Sequence, residues 1–298
     1  MPRRGSIPDA LPGFGAVEYG RPYMSPFRAS APLTEEWRHF EFAVRDGVAT
    51  VTLNRPTKLN ALTFDAYADL RDLLAELPQR GDARVLVIAG QGHGFCSGGD
   101  VEEIIGPLQE MGTVELLEFT RMTGSVVKAL RELPLPAIAA INGVAAGAGA
   151  VIALACDFRL MAQSASFAFL FTRVGLAGAD MGAAYLLPRI VGLGRATELL
   201  MLGDKVNAER SLAIGLASEV VDDEELAGRA GALAERLADG PAFAHATTKS
   251  LLTRELDMGL GPAIELEAIT QALLMNSDDF AEFYAAWSDG RAAEWTGR

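Results

Sequence analysis

Cysteine is scarce in this chain. Cys96 and Cys156 are the two present, too few for a disulfide framework, and that suits a reducing compartment. No apolar run reaches the ~18–20 residues needed to span a bilayer, so no membrane segment is expected. Arg3 and Arg4 stand near the N-terminus, but Gly and Pro follow them instead of an apolar stretch, and no signal peptide is read there. The 26 basic residues form no stripe and are outnumbered by 39 acidic ones, giving a net charge of −13. Nucleic acid is therefore not an expected partner. No Cys/His/Asp spacing suggests a metal. No fixed-period repeat is visible. The expectation is a soluble, cytoplasmic protein.

What is present is apolar. Half of the 298 residues are hydrophobic, enough for one large domain or a domain with a helical appendage. The chain is organised around Ala139–Asp157. The first half of that stretch is β-like; the second, Gly147-Ala148-Gly149-Ala150, is a run of very small residues opening a helix. A helix start without side chains allows close approach to its backbone. Its first N–H groups have no internal partner and lie at the positive end of the dipole. Such a start can hold an oxygen that gains negative charge. Tight packing of a helix on a sheet uses the same residues equally well.

Residues 1–32 are rich in Pro, Gly and Ser and read as a flexible extension. Phe40–Leu53 reads as two alternating strands turning at Asp46-Gly47. Thr63–Leu77 has helical spacing with Thr63 as N-cap. Arg84–Ala89, Ala137–Ile141 and Phe158–Ala162 read as apolar strands, and Phe167–Phe171 as one more. A long helix is expected over Thr113–Leu130. Shorter ones are expected at Ala183–Pro188, Gly194–Met201 and Asn207–Ile214, with a strand near Ala217–Val221. From Asp223 onward the pattern is helical. The order argues for α/β with mainly parallel pairing.

Two glycine-rich loops follow apolar strands, at Phe95–Asp100 and Gly143–Gly149. Neither has the form of a dinucleotide or phosphate loop. Each can present a bare N–H, and the N–H groups of Ser97 and Ala148 are the candidate donors of an oxyanion hole.

Phe95-Cys96-Ser97-Gly98-Gly99-Asp100 resembles the first signature of the crotonase (enoyl-CoA hydratase/isomerase) family. Ile141–Gly149 resembles its second signature, Leu53–Leu62 its N-terminal motif and Leu187–Gly192 a fourth. The resemblance spans residues 37–295. It implies a crotonase-like spiral of repeated β-β-α turns over 33–221 and a C-terminal helical trimerisation region over 222–298. It further implies an acyl-CoA thioester as ligand, a homotrimer or hexamer, and no cofactor beyond the coenzyme A of the substrate. Ser97 and Ala148 would hold the thioester oxygen, with the bare Gly98 and Gly147 against the substrate. Lys58 and Leu59 would lie near the adenine, and Arg291 would meet a CoA phosphate.

The departures are chemical. The two glutamates of family hydratases fall on Val151 and Phe171, neither of which transfers a proton. Asp180, in Val174–Gly182, resembles the proton-transfer aspartate of the dienoyl-CoA isomerase branch, with one extra residue here. Set among Ala, Met and Gly, its pKa is expected to rise; the alternative is a loop Asp capping the next helix. Asp100 reads as a cap, Cys96 as a small buried filler and His93 as a surface imidazole. The enzyme reading is weighed against an acyl-CoA-binding protein without catalysis.

Overall fold

Asp46 and Gly47 both take positive φ, +49° and +76°, the backbone of a tight hairpin turn whose twist matches its strands. They join β1 (Phe40–Arg45) to β2 (Val48–Leu53) in antiparallel register, with Phe40 opposite Leu53. The computed structural model describes residues 32–297. The extension read at 1–32 lies outside these apart from Pro32.

Thr63 caps α1 (Phe64–Arg80), its hydroxyl accepting from the Ala66 N–H at 3.1 Å. Then follow β3 (Val85–Gly90), β4 (Gly94–Cys96), a π-turn at Val101–Ile105, the single-turn α2 (Gly106–Leu108) and α3 (Thr113–Glu132). The same rhythm returns in β5 (Ala137–Ile141), β6 (Val144–Ala146) and α4 (Ala148–Ala155). It returns again in β7 (Phe158–Ala162), β8 (Ser166–Ala168) and α5 (Ala183–Val191). In each turn the first strand joins a six-stranded sheet, β1-β2-β3-β5-β7-β10, and the second joins a four-stranded sheet. That second sheet runs β4-β6-β8-β9, and pairing is parallel except at β1–β2 and β8–β9. This is the expected spiral of β-β-α turns.

The strand expected over Phe167–Phe171 is shorter. β8 ends at Ala168, and Leu170–Val174 forms a 3₁₀ turn closed by Gly175 at φ +82°. The chain continues through α6 (Leu193–Leu202), β9 (Val206–Asn207), α7 (Ala208–Ala213) and β10 (Glu219–Val221). The C-terminal helices are α8 (Leu226–Ala238), α9 (Ala242–Glu255), α10 (Leu260–Leu274) and α11 (Asp278–Asp289). α8 lies on the large sheet against β2, β3, β5 and β7. The core centres on α4, all eight residues of which are buried.

Candidate active site

The two glycine-bordered turns meet. Gly98 has φ +96° and Gly147 φ +51°, in the region that disfavours a Cβ. A Cβ on Gly98 would stand 3.0 Å from the Ala146 carbonyl oxygen and 3.4 Å from the Ala148 nitrogen. One on Gly149 would fall 2.2 Å from the Cys96 carbonyl oxygen. Bare residues at these positions let the exit of β4 lie in contact with the start of α4.

Within the first turn the amides differ in availability. The Ser97 N–H donates to the Leu59 carbonyl at 3.0 Å, and its hydroxyl donates to the Lys58 carbonyl at 3.2 Å. Ser97 is therefore not the free donor that its motif position suggested: its amide is turned toward the 58–62 segment and already engaged. The Leu62 N–H donates to the Gly98 carbonyl at 2.8 Å, and the Asp100 N–H donates to the Leu62 carbonyl at 2.9 Å. In extended backbone the groups of the intervening residue point the opposite way. The Gly99 N–H is turned away from Leu62 and has no acceptor among the described residues. The Gly98 N–H is directed at the Cys96 sulfur. On the facing turn the Gly147 N–H donates to the Ala168 carbonyl at 2.8 Å, while the Val151 N–H closes the first helical turn on the Gly147 carbonyl. The Ala148 N–H between them is unpaired among the described residues and sits at the positive end of the α4 dipole. Among the unpaired amides flanking this contact are those of Gly99 and Ala148.

The 54–62 segment supports the first turn. Leu59 and Asn60 take φ +49° and +57°. The buried Asn60 amide donates to the carbonyls of Gln91 and Gly94 and accepts from the Arg55 N–H. Asp100 caps the π-turn, accepting from the Glu102 and Glu103 N–H groups at 2.9 and 3.1 Å. The Arg55 guanidinium lies 3.1 Å from its other oxygen. The Glu103 amide leads the effects holding the Asp100 carboxyl below the usual carboxylate range. Glu103 pairs with Arg55 and Glu102 with the Lys58 ammonium. Cys96 is sealed, and burial pushes its thiol up to about 12, leaving it inert at neutral pH. His93 is exposed.

Val151 and Phe171, the positions that the resemblance aligns with the family's two glutamates, are both buried. Asp180 is half-buried at the end of the Gly175–Gly182 loop. One of its oxygens accepts from the Met181 N–H at 2.9 Å; the other has no hydrogen-bond partner among the described residues. Burial raises its pKa, with the Met181 amide opposing. The carboxylate caps no helix: α5 begins after Gly182, and the Ala183 N–H bonds to the Asp180 backbone carbonyl at 2.8 Å. Asp180 lies within electrostatic reach of Tyr67, as does Cys96.

Arg291 is held elsewhere. Its guanidinium grips Glu282 on α11 at 2.5 and 2.9 Å, which drives Glu282 down to about 2. No described contact joins it to the two turns. Among the described residues no group of His, Cys, Asp or Glu is placed to hold a metal. Sequence reasoning missed the unpaired Gly99 amide, whose signal was the second glycine of the pair 98–99.

The two unpaired amides can polarise a carbonyl, and Asp180 offers a carboxylate with one oxygen free of hydrogen bonds among the described residues. The Enoyl-CoA hydratase/isomerase family model matches residues 43–298. The 1,2-epoxyphenylacetyl-CoA isomerase of Escherichia coli is 37% identical over 259 residues, covering 86% of this chain and 97% of that protein. A solved structure of a candidate enoyl-CoA hydratase from Streptomyces coelicolor A3(2) is 64% identical with TM-score 0.91, covering 92% of this chain and all of that one. The enoyl-CoA hydratase structure from Bacillus anthracis is 28% identical with TM-score 0.82, over 88% of this chain and all of its own.

Proposed function

The chain belongs to the enoyl-CoA hydratase/isomerase family, and on that premise we propose that it is an enzyme acting on an enoyl-CoA thioester. The thioester oxygen sits between the N–H groups of Gly99 and Ala148. Asp180, as carboxylate, takes a proton from a carbon next to the conjugated system. The electron pair moves to the oxygen as an enolate, which the two amides stabilise. The resulting carboxylic acid returns the proton to another carbon, so the double bond shifts and no cofactor is consumed. Coenzyme A enters as part of the substrate. Hydration by paired glutamates is not available, because Val151 and Phe171 occupy those positions.

The observation that carries this reading is the contact between two turns whose outward amides are unpaired. Gly98 and Gly147 let the two turns touch there, and the thioester would lie against them, with the backbone of Lys58 and Leu59, already tied to the first turn, toward the adenine. The pairing of Arg291 with Glu282 argues against a phosphate contact. The test is exchange. An enoyl-CoA panel incubated with the protein in deuterated water is expected to gain deuterium at the carbon flanking the thioester or at its vinylogue. Tight binding with no exchange across the panel would select the second reading, an acyl-CoA-binding protein without catalysis, which the apolar residues at 151 and 171 favour.

The assembly is a homotrimer or hexamer, with no nucleic acid or membrane partner, acting in the cytoplasm. Support for self-association comes from α10, where no residue is buried and Leu260, Ile264, Ile269 and Leu273 are all exposed. Among the described residues no helix is long and apolar enough to cross a membrane. Sedimentation showing three or six copies is the expected result, and a monomer at micromolar concentration would refute it.

A further inference from the structure

Arg55 is a charged side chain in contact with the first amide turn, and the proton-transfer scheme gives it no task. Its own backbone is fixed. The Arg55 N–H donates to the Asn60 side-chain oxygen at 2.9 Å, and its carbonyl accepts from the Lys58 and Asn60 N–H groups at 3.0 and 2.9 Å. From that anchor the guanidinium reaches two segments at once. Nη1 donates to the Ala61 carbonyl at 2.8 Å; Nη2 donates to Glu103 and lies 3.1 Å from Asp100 Oδ2. Ala61 and Asp100 are the immediate neighbours of Leu62 and Gly99, the two residues that form the parallel bridge. One planar fork thus spans both sides of the bridge whose bonds, Leu62 N–H to Gly98 and Asp100 N–H to Leu62, leave the Gly99 N–H facing away.

The oxygen facing Arg55 is sealed. Asp100 is 3% exposed, and its Oδ2 accepts no hydrogen bond among the described residues. A carboxylate oxygen cut off from water is costly unless a counter-charge stays beside it. Drift of the first turn away from Ala61 would strip that charge, so the contact resists it. The neighbouring Lys58–Glu102 pair joins two exposed ends and offers little such resistance. We propose that Arg55 is a positioning residue of the amide half: by holding Ala61 and Asp100 at a set separation, its guanidinium aims the Gly99 N–H at the thioester oxygen. This inference rests on the acyl-CoA reading above. A lysine ammonium, a point charge on a flexible stem, lacks the fork that fixes this separation.

Arg55→Lys and Asp100→Asn cut the contact from its two ends. Asparagine keeps an oxygen for the Glu102 and Glu103 N–H groups, so the cap is retained and folding is expected to survive. The readout is the infrared band of the thioester carbonyl in bound hexanoyl-CoA, isotope-labelled at that carbon. Wild type is expected to move the band to lower frequency than in buffer, and each variant to lose about half of that shift or more. Deuterium exchange on the enoyl-CoA panel should slow by about 10–10²-fold, the scale of a small misplacement, with thioester affinity within about 3-fold of wild type. The double variant should be no worse than the weaker single one, because both break the same contact. A band shifted as far in both variants as in wild type overturns the role of Arg55, whatever the melting temperature or exchange rate, and leaves the acyl-CoA reading standing. Wild type that fails to bind hexanoyl-CoA, or binds it without a shift, overturns both.

Discussion

The amide half of the site and the acid half are built in opposite ways. The amide half is backbone: two turns pressed together through Gly98, Gly147 and Gly149, set on a helix buried over its whole length and braced by Asn60, Arg55 and Asp100. The acid half is a single side chain. Asp180 sits on a half-exposed loop with one backbone partner, while Val151 on α4 and Phe171 in the 3₁₀ turn, the positions that the resemblance aligns with the family's glutamates, are buried and apolar. A carbonyl-polarising frame that depends on main-chain direction cannot be altered by exchanging side chains on its outside. A proton-transfer group can be moved from one loop to another without disturbing that frame. Under the proposed mechanism the chemical identity of this chain lies in the acid half.

The largest effect is expected from breaking the acid half alone. Asp180→Asn should lower kcat by about 10²–10⁴-fold, the range of a positioned acid–base group, while CoA-thioester affinity stays within about 3-fold of wild type. Steady-state kinetics alongside calorimetry check both, and undiminished turnover would remove Asp180 from the mechanism. The same group sets the pH response. Its folded pKa is raised, so the acid limb of kcat/KM is expected above the ordinary carboxylate value of about 4. The sign for stability is opposite to that of a salt-bridged aspartate. The folded chain binds this proton more tightly than the unfolded one, so ionisation costs stability as pH climbs through the interval between the two pKa values. Asp180→Asn should melt higher than wild type at neutral pH, with the difference vanishing in acid.

A smaller effect is expected from the amide half, and it distinguishes donors from neighbours. Ala148→Pro removes one N–H and should cost about 10²–10³-fold in kcat, whereas Ala148→Gly, which keeps the N–H, should cost less than about 10-fold. A crystal structure of the proline variant checks that the α4 start is intact. Ser97→Ala should be nearly silent, within about 3-fold, because the Ser97 amide bonds to Leu59 and its hydroxyl makes a single bond to the Lys58 carbonyl. A large loss in Ser97→Ala would mean that the side chain at 97 acts in the chemistry.

Much of the frame was legible. Asp46-Gly47 announced its turn, Thr63 its cap, and Ala137–Ile141 and Phe158–Ala162 their strands, because each signal is local. Turn chemistry, caps and short apolar runs between breakers act over a few residues. The region after β8 was less legible: Phe167–Phe171 has strand composition throughout. Yet the chain turns into a 3₁₀ segment after Ala168, where the four-stranded sheet offers its next edge to β9 and Leu170–Val174 packs against α6. The expectation of a free amide at Ser97 met a bonded one for a related reason. A motif names the residues of a loop, but not which side of it each N–H faces.

Composition and order alone determined that this chain buries a large apolar core and places two glycine turns after two strands. Tertiary structure decided which amide is unpaired, because Leu59 and Leu62, some forty residues earlier, claim the neighbours of Gly99. Hydrogen-bond direction and long-range proximity are properties of a folded backbone, and no spacing along a sequence encodes them locally.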